Sequence, residues 1–303
     1  MYFHLDWSGR RPNAINLLKT RPSDINYEVV FNICKKKYIL SGNIADDFID
    51  YSPEVAFAYT KVPYLLSHLQ KSIRRMDSVK AVKTAKHLID LDSISFIRRL
   101  PIIMLEDVAF HESFLVIIWL MIAISKGYKL KVEIIKWLLG VVYYLSNEEY
   151  KEKYLKEDII YEWDEDATSD NVNIILNTLR FRKEYGGMKG DMSMIEYYIG
   201  LVLRNDIFIR KTKIPIIKLD MESLRKKEWI YEANDFHCNR YIIDNIQLRH
   251  NRYTKEYLKQ LIWEFSSSLN KREEVKEKDM NMKKDWDIIK KTVKRVQRQC
   301  IYY

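Results

Sequence analysis

From Leu66 onward the apolar residues fall at helical intervals. Leu66, Leu69, Ile73 and Met76 recur three and four apart, which predicts one apolar side of a helix and leaves Lys71, Arg74 and Arg75 largely on the other. Pro63 suits the first turn of that helix, where a missing amide proton costs nothing. Asp77 and Ser78 offer an N-cap for a helix over 79–91, with Val82, Ala85 and Ile89 as its buried line and Lys80, Lys83 and Lys86 outside it. Asp92 and Ser93 signal the next start, with Ile94 and Ile97 turned inward, and Pro101 restarts or kinks the path. Residues 114–124 are apolar all round but fall short of the roughly 20 that a spanning helix requires, so they predict a central core helix with Gly127 just past its end. Pro53 and Glu54 add a shorter helix ahead of these. The sum is an antiparallel bundle over 55–147, with Leu66, Leu69, Ile97, Leu115, Ile118 and Leu120 buried.

Elsewhere the pattern is weaker. Residues 1–54 resist assignment: 8–13 reads as a loop, and 27–40 fits a helix or a strand. Residues 148–170 hold ten acidic residues against three lysines and read as an acidic connector. Beyond it, 171–180 and 194–203 look helical, 207–219 looks extended, and Thr254 opens a helix carrying Tyr257, Leu261 and Phe265 on one side. Residues 271–298 predict a solvated helix whose apolar positions, Val275, Met282, Ile289, Val293 and Val296, form a thin stripe. Only 8 Gly and 6 Pro in the chain argue against many tight turns and short strands. The expected fold class is therefore all-α: an N-terminal segment over 1–54, the bundle over 55–147, the connector over 148–170, a second mostly helical domain over 171–270 and a charged helical tail over 271–303.

Composition narrows the partners. A chain of 303 residues with 47% apolar content can fill two cores, and Cys34, Cys238 and Cys300 are too far apart and too few for a disulfide framework, which predicts reduced thiols in an intracellular setting. The first residues lack the basic and apolar regions of a secretory signal, and no membrane association is expected. A net charge of +9 favours polyanions, and its distribution is uneven. Residues 61–100 carry nine Lys and Arg against three acids, and 288–303 carries five basic residues with no acid. The anion-contacting candidates are Lys71, Arg74, Arg75, Lys83, Arg98 and Arg99 in the first region and Lys290, Lys291, Lys294 and Arg295 in the second. Aromatic rings interleaved with basic residues, as in Arg240-Tyr241 and Arg249-His250-Asn251-Arg252-Tyr253, fit stacking on bases beside phosphate contacts.

Catalytic patterns are sparse. The chain holds no Gly-x-x-x-x-Gly-Lys-Ser/Thr string, and Gly186-Gly187-Met188-Lys189-Gly190-Asp191 has no hydroxyl after its lysine, so it reads as a turn and no ATP chemistry is expected. Asp235 and His237 could serve acid–base or metal chemistry, with Asp191 as a further carboxylate, yet the nearest other histidine is His250 and no cysteine stands at zinc spacing. No metal, cofactor or catalytic residue is assigned.

One segment resembles a known family. His68, the run Lys71-Ser72-Ile73-Arg74-Arg75, the turn Met76-Asp77, the helix over 81–91, the string Phe96-Ile97-Arg98-Arg99-Leu100 and then Glu106-Asp107 follow the order seen in the helical collar of the RarA/MgsA replication-associated recombination ATPases, relatives of clamp loaders. The resemblance covers about a quarter of the chain and implies an oligomerising, DNA-facing module; the ATPase domain that precedes the collar in that family has no counterpart in 1–54. The expected function is a non-enzymatic accessory or assembly factor of DNA replication or repair. Its expected partners are nucleic acid, DNA before RNA, and further copies of itself or a replication-complex protein. The alternatives are a metal-dependent nucleic-acid-processing enzyme using Asp235 and His237, and a structural protein binding packaged nucleic acid or a partner protein.

Overall fold

A computed structural model describes residues 1–33, 35–53, 61–153, 161–164, 169–217, 240–267, 270–272 and 280–300. The first 44 residues overturn the all-α expectation. They form β1 (Tyr2–Trp7), β2 (Ala14–Leu18), β3 (Tyr27–Ile33) and β4 (Lys36–Ile44) in a sheet of order β2-β1-β4-β3, so the fold is mixed α/β. β1 pairs antiparallel with β2 and parallel with β4, and β3 pairs antiparallel with β4. The pairing Phe3↔Leu40, Leu5↔Gly42 and Trp7↔Ile44 sets these side chains on one face, as alternation along a strand requires. The opposite face carries His4, whose ring contacts the Ser41 hydroxyl at 3.1 Å, and the exposed Glu28, Val30 and Asn32.

Nine helices follow: α1 (Val62–Arg74), α2 (Ser78–Asp107), α3 (Ser113–Ser125), α4 (Val132–Asn147), α5 (Asp170–Glu184), α6 (Lys189–Arg204), α7 (Arg240–Gln247), α8 (Lys255–Ile262) and α9 (Met280–Cys300) among the described residues. Their boundaries follow local chemistry. The Asp77 carboxylate accepts from the Lys80 amide at 3.1 Å, and the Thr254 hydroxyl accepts from the Tyr257 amide at 3.2 Å, both side-chain caps. Gly127 (φ 89°) ends α3, with its amide on the Ile124 carbonyl and the Tyr128 amide on the Ala123 carbonyl. Pro101 lies inside α2, whose one non-helical residue is Asp92 (φ −157°, ψ 80°), so the path breaks at the Asp92-Ser93 signal and not at the proline. The 55–60 part of the helix expected after Pro53 lies outside the described residues.

The chain divides into two compact units, one made of Met1–Ser52, Ile94–Val141 and Glu152–Ile217, the other of Pro53–Ser93, Val142–Lys151 and Lys218–Tyr303. The range 55–147 contributes to both. In the first unit α3 packs on β1 and β4, and α5 packs on β2 and on α3. Trp119 of α3 crowds Gly42, where an added Cβ would come within 2.9 Å of the indole, and its ring nitrogen donates to the Ser41 carbonyl at 2.9 Å. Phe181 of α5 meets Phe3, Phe31 and Tyr38 edge-on at 5.0–5.4 Å. Leu69, Ile97, Leu115, Ile118 and Leu120 are buried as their spacing predicts, while Leu66 is half-buried.

In the second unit α7, α8 and α9 enclose their own core of Ile243, Ile246, Leu258, Leu261, Ile289 and Val293. The thin stripe of the last helix is thus fully covered over Ile289, Val293 and Val296.

Candidate nucleic-acid interface

Two sets of basic residues stand out in sequence, and the structure treats them differently. In the first set Lys71 is 2% exposed, which removes it from any surface, and Lys83 is half-buried. Arg75 donates to the Phe265 carbonyl at 3.0 Å, and the Arg74 carbonyl accepts the Lys271 amide at 3.0 Å. Lys86, placed by spacing on the outer side of its helix, is 1% exposed and paired at 2.5 Å with Asp90. Its neighbours Ala85 and Ile89 are buried as well, so this part of α2 is covered around most of its circumference.

Arg98 and Arg99 belong to the other unit and face inward too. Arg98 donates to the Tyr185 carbonyl at 2.6 Å; Arg99 reaches Asp191 at 3.1 Å and Glu106 at 3.7 Å. Beside them Arg182 is 3% exposed and donates to the Arg98 carbonyl through Nε and Nη2 (3.2 and 2.9 Å) and to the Gly186 carbonyl through Nη1 (2.8 Å). Burial, with the Arg98 and Arg99 charges adding to it, pushes the Arg182 guanidinium down to about 10, and Asp191 acts the other way. Asp191 is itself held above the ordinary carboxylate range by burial, against the pull of Arg99. The glycine-containing stretch joins this cluster as a helix–helix corner: Gly186 (φ 73°) turns the chain after α5, and Lys189 to Asp191 are already the first turn of α6. An anionic Asp191 in that turn opposes phosphate binding there.

The second set lies on α9. Lys291, Lys294, Arg295 and Arg298 are exposed at i, i+3, i+4 and i+7, one face spanning about 10 Å along the axis, while Ile289, Val293 and Val296 fill the opposite, buried side. Lys290 is bound at 2.5 Å to Asp287, but Lys291, Lys294 and Arg295 have no ion-pair partner among the described residues. The helix is fixed from beneath by Asp285, which accepts from the hydroxyls of Tyr253 (2.6 Å) and Tyr257 (2.8 Å). These bonds hold its carboxyl below the usual range. Tyr253 is therefore a buried structural ring, with Arg252 over its face at 4.6 Å, and is closed to base stacking.

Sequence reasoning missed Arg182 and Arg272. Arg272 donates to the Ile73 carbonyl at 2.9 Å, to Glu148 and Leu145 carbonyls at 2.5 Å each, and to the Asn270 side chain at 3.3 Å, tying down the C-terminal ends of α1 and α4. Nothing in the residues flanking either arginine distinguishes it from a surface cation.

Asp235, His237 and Cys238 lie outside the described residues, and among the described ones no three His, Cys, Asp or Glu side chains gather as a metal site would require. No described helix is long and apolar enough to cross a membrane. No protein-family model, curated protein or solved structure matches the chain.

Proposed function

We propose that the protein is a non-enzymatic nucleic-acid-associated accessory or assembly factor that holds DNA along the outer face of α9. The observation that carries this reading is the face of Lys291, Lys294, Arg295 and Arg298, exposed on a helix whose other side is locked into a core. Exposed cations on a rigid helix can each neutralise a phosphate and release its counterion, and three of these, Lys291, Lys294 and Arg295, have no ion-pair partner among the described residues. The ordered residues from His68 to Asp107 that resemble the RarA/MgsA collar support a setting in DNA replication or repair. The contact set expected from the sequence narrows accordingly: Lys71, Arg74, Arg75, Lys83, Arg98 and Arg99 leave it, and the cations of the last helix stay.

Fluorescence anisotropy with labelled duplex DNA over a salt series tests this. Four phosphate contacts give a fall of about 3.6 log units in affinity per tenfold rise in salt. Changing Lys291, Lys294, Arg295 and Arg298 together to Ala abolishes most of that slope, whereas changing Arg98 and Arg99 does not alter it in protein that remains folded. An unaltered slope in the α9 variant rejects the reading, and tighter binding of RNA than of DNA at equal salt rejects its choice of nucleic acid.

A further inference from the structure

The first unit contains a cavity of about 630 Å³, within the range of small-molecule sites. Its walls come from the 8–13 loop, the first turns of α3 and α5, Trp137 of α4 and the extended segment over 209–214. That segment is fastened in place. His111 Nδ1 accepts from the Ser113 amide at 3.1 Å, which leaves the proton on Nε2 to donate to the Thr212 carbonyl at 3.1 Å. Arg210 exchanges backbone hydrogen bonds with Phe110 and Glu112, both 2.9 Å. Further along, Gly140 of α4 admits the chain so closely that a Cβ there would sit 1.8 Å from the Pro215 carbonyl oxygen. The cavity is therefore bounded by anchored backbone.

Its chemistry is two-sided. The floor is branched aliphatic, with Leu115, Ile174, Ile209 and Ile214 beside the buried Trp137. Its cations are the exposed Lys211 and Lys213 and the half-buried Arg11, against Glu112 as the one carboxylate among the described lining residues. Arg11 has an Nε shielded from solvent with no hydrogen-bond acceptor among the described residues. A guanidinium adds a fixed positive charge and a planar fork of donors that matches a carboxylate or phosphate.

We infer that this cavity binds a single-chain amphipathic anion, its aliphatic body on the isoleucine-rich floor and its carboxylate or phosphate at Arg11, Lys211 and Lys213. A nucleotide fits less well, because a floor of branched aliphatic side chains offers the edges of a base no donors or acceptors. The site is separate from the α9 face and stands or falls independently of it.

Titration calorimetry on the full chain uses decanoate, decyl phosphate, decanol, inorganic phosphate and adenosine monophosphate as probes. The expected result is 1:1 binding of decanoate or decyl phosphate, with decanol at least tenfold weaker and no heat from inorganic phosphate. Whichever of the two anions binds tenfold more tightly identifies the headgroup; equal affinities mean that charge alone is recognised. Arg11→Gln, in an N-terminal loop, weakens both anions about tenfold and leaves decanol unchanged, and Ile209→Trp blocks all three. Equal affinity for decanol and decanoate, an Arg11→Gln protein that binds as tightly as the parent, preferential binding of adenosine monophosphate, or no heat from either decyl anion each overturns the inference. If Ile209→Trp fails to fold, the Arg11→Gln comparison decides.

Discussion

Arg98, Arg99 and Arg182 in one unit and Lys291, Lys294 and Arg295 in the other are both clusters of cations on helices, and their surroundings are opposite. The first three donate to carbonyls of Arg98, Tyr185 and Gly186 and to the Asp191 carboxylate. The α9 cations point outward from a helix whose core side is already filled. A guanidinium whose donors end on backbone carbonyls works as part of the scaffold, since an incoming phosphate would have to displace bonds that the fold needs. Charge density along the chain does not separate the two cases; the destination of each N–H does.

The sharpest test of this contrast is Arg182→Ala. It leaves two part-buried carbonyls short of donors and removes a buried cation near Asp191, and should destabilise the first unit by about 2–3 kcal/mol, measured as a shift of the denaturant midpoint. A midpoint unchanged from the parent would place Arg182 with the surface cations. Arg272→Ala should cost about 2–3 kcal/mol, because three helix-end carbonyls lose their donor while solvent reaches part of the site. If its effect is confined to nucleic-acid affinity, the division between scaffold and surface fails in the second unit.

Asp285→Asn gives a smaller change with a distinctive pH profile. The folded Asp285 carboxyl titrates below its ordinary value because Tyr253 and Tyr257 donate to it. Its contribution is thus full above the unfolded value of about 4 and is lost as pH falls through the depressed folded value. The stability gap between parent and Asp285→Asn should be constant above about pH 5 and close towards pH 2; a gap that widens on acidification would contradict the assignment. The least effect on stability belongs to the combined Lys291→Ala, Lys294→Ala and Arg295→Ala change, within about 0.5 kcal/mol by the same denaturation measurement. A large loss would mean that this face is structural.

The helices with clear punctuation were legible: the Asp77 and Thr254 caps, the break at Asp92 and the Gly127 terminus all follow from residue types with one dominant local use. The sheet was not, although Phe3, Leu5 and Trp7 alternate with His4 and Asp6, and Tyr27, Val29, Phe31 and Ile33 alternate with Glu28, Val30 and Asn32. The low glycine and proline count outweighed that signal, yet four strands need few turns, and the tight one between β3 and β4 uses Lys35 at φ 61° in place of glycine. The exposure of the α9 cations was legible because their face has a clean period. Lys71, Arg98 and Arg99 misled because their partners, such as Tyr185 and Asp191, come from distant parts of the chain.

The parallel pairing of β1 with β4 also has a kinetic meaning. β1 with β2 and β3 with β4 are local pairs, of a kind that closes in about 1–10 µs, whereas Tyr2 must wait for Ile39 before the two ribbons can join. If the local ribbons close first, Phe3, Leu5 and Leu40 would lie along unpaired strand edges, open to pairing with other copies. Refolding yield should therefore depend on protein concentration through the lifetime of the two separate ribbons, and a covalent link from β1 to β4 should relieve that dependence by making the slow encounter a local one.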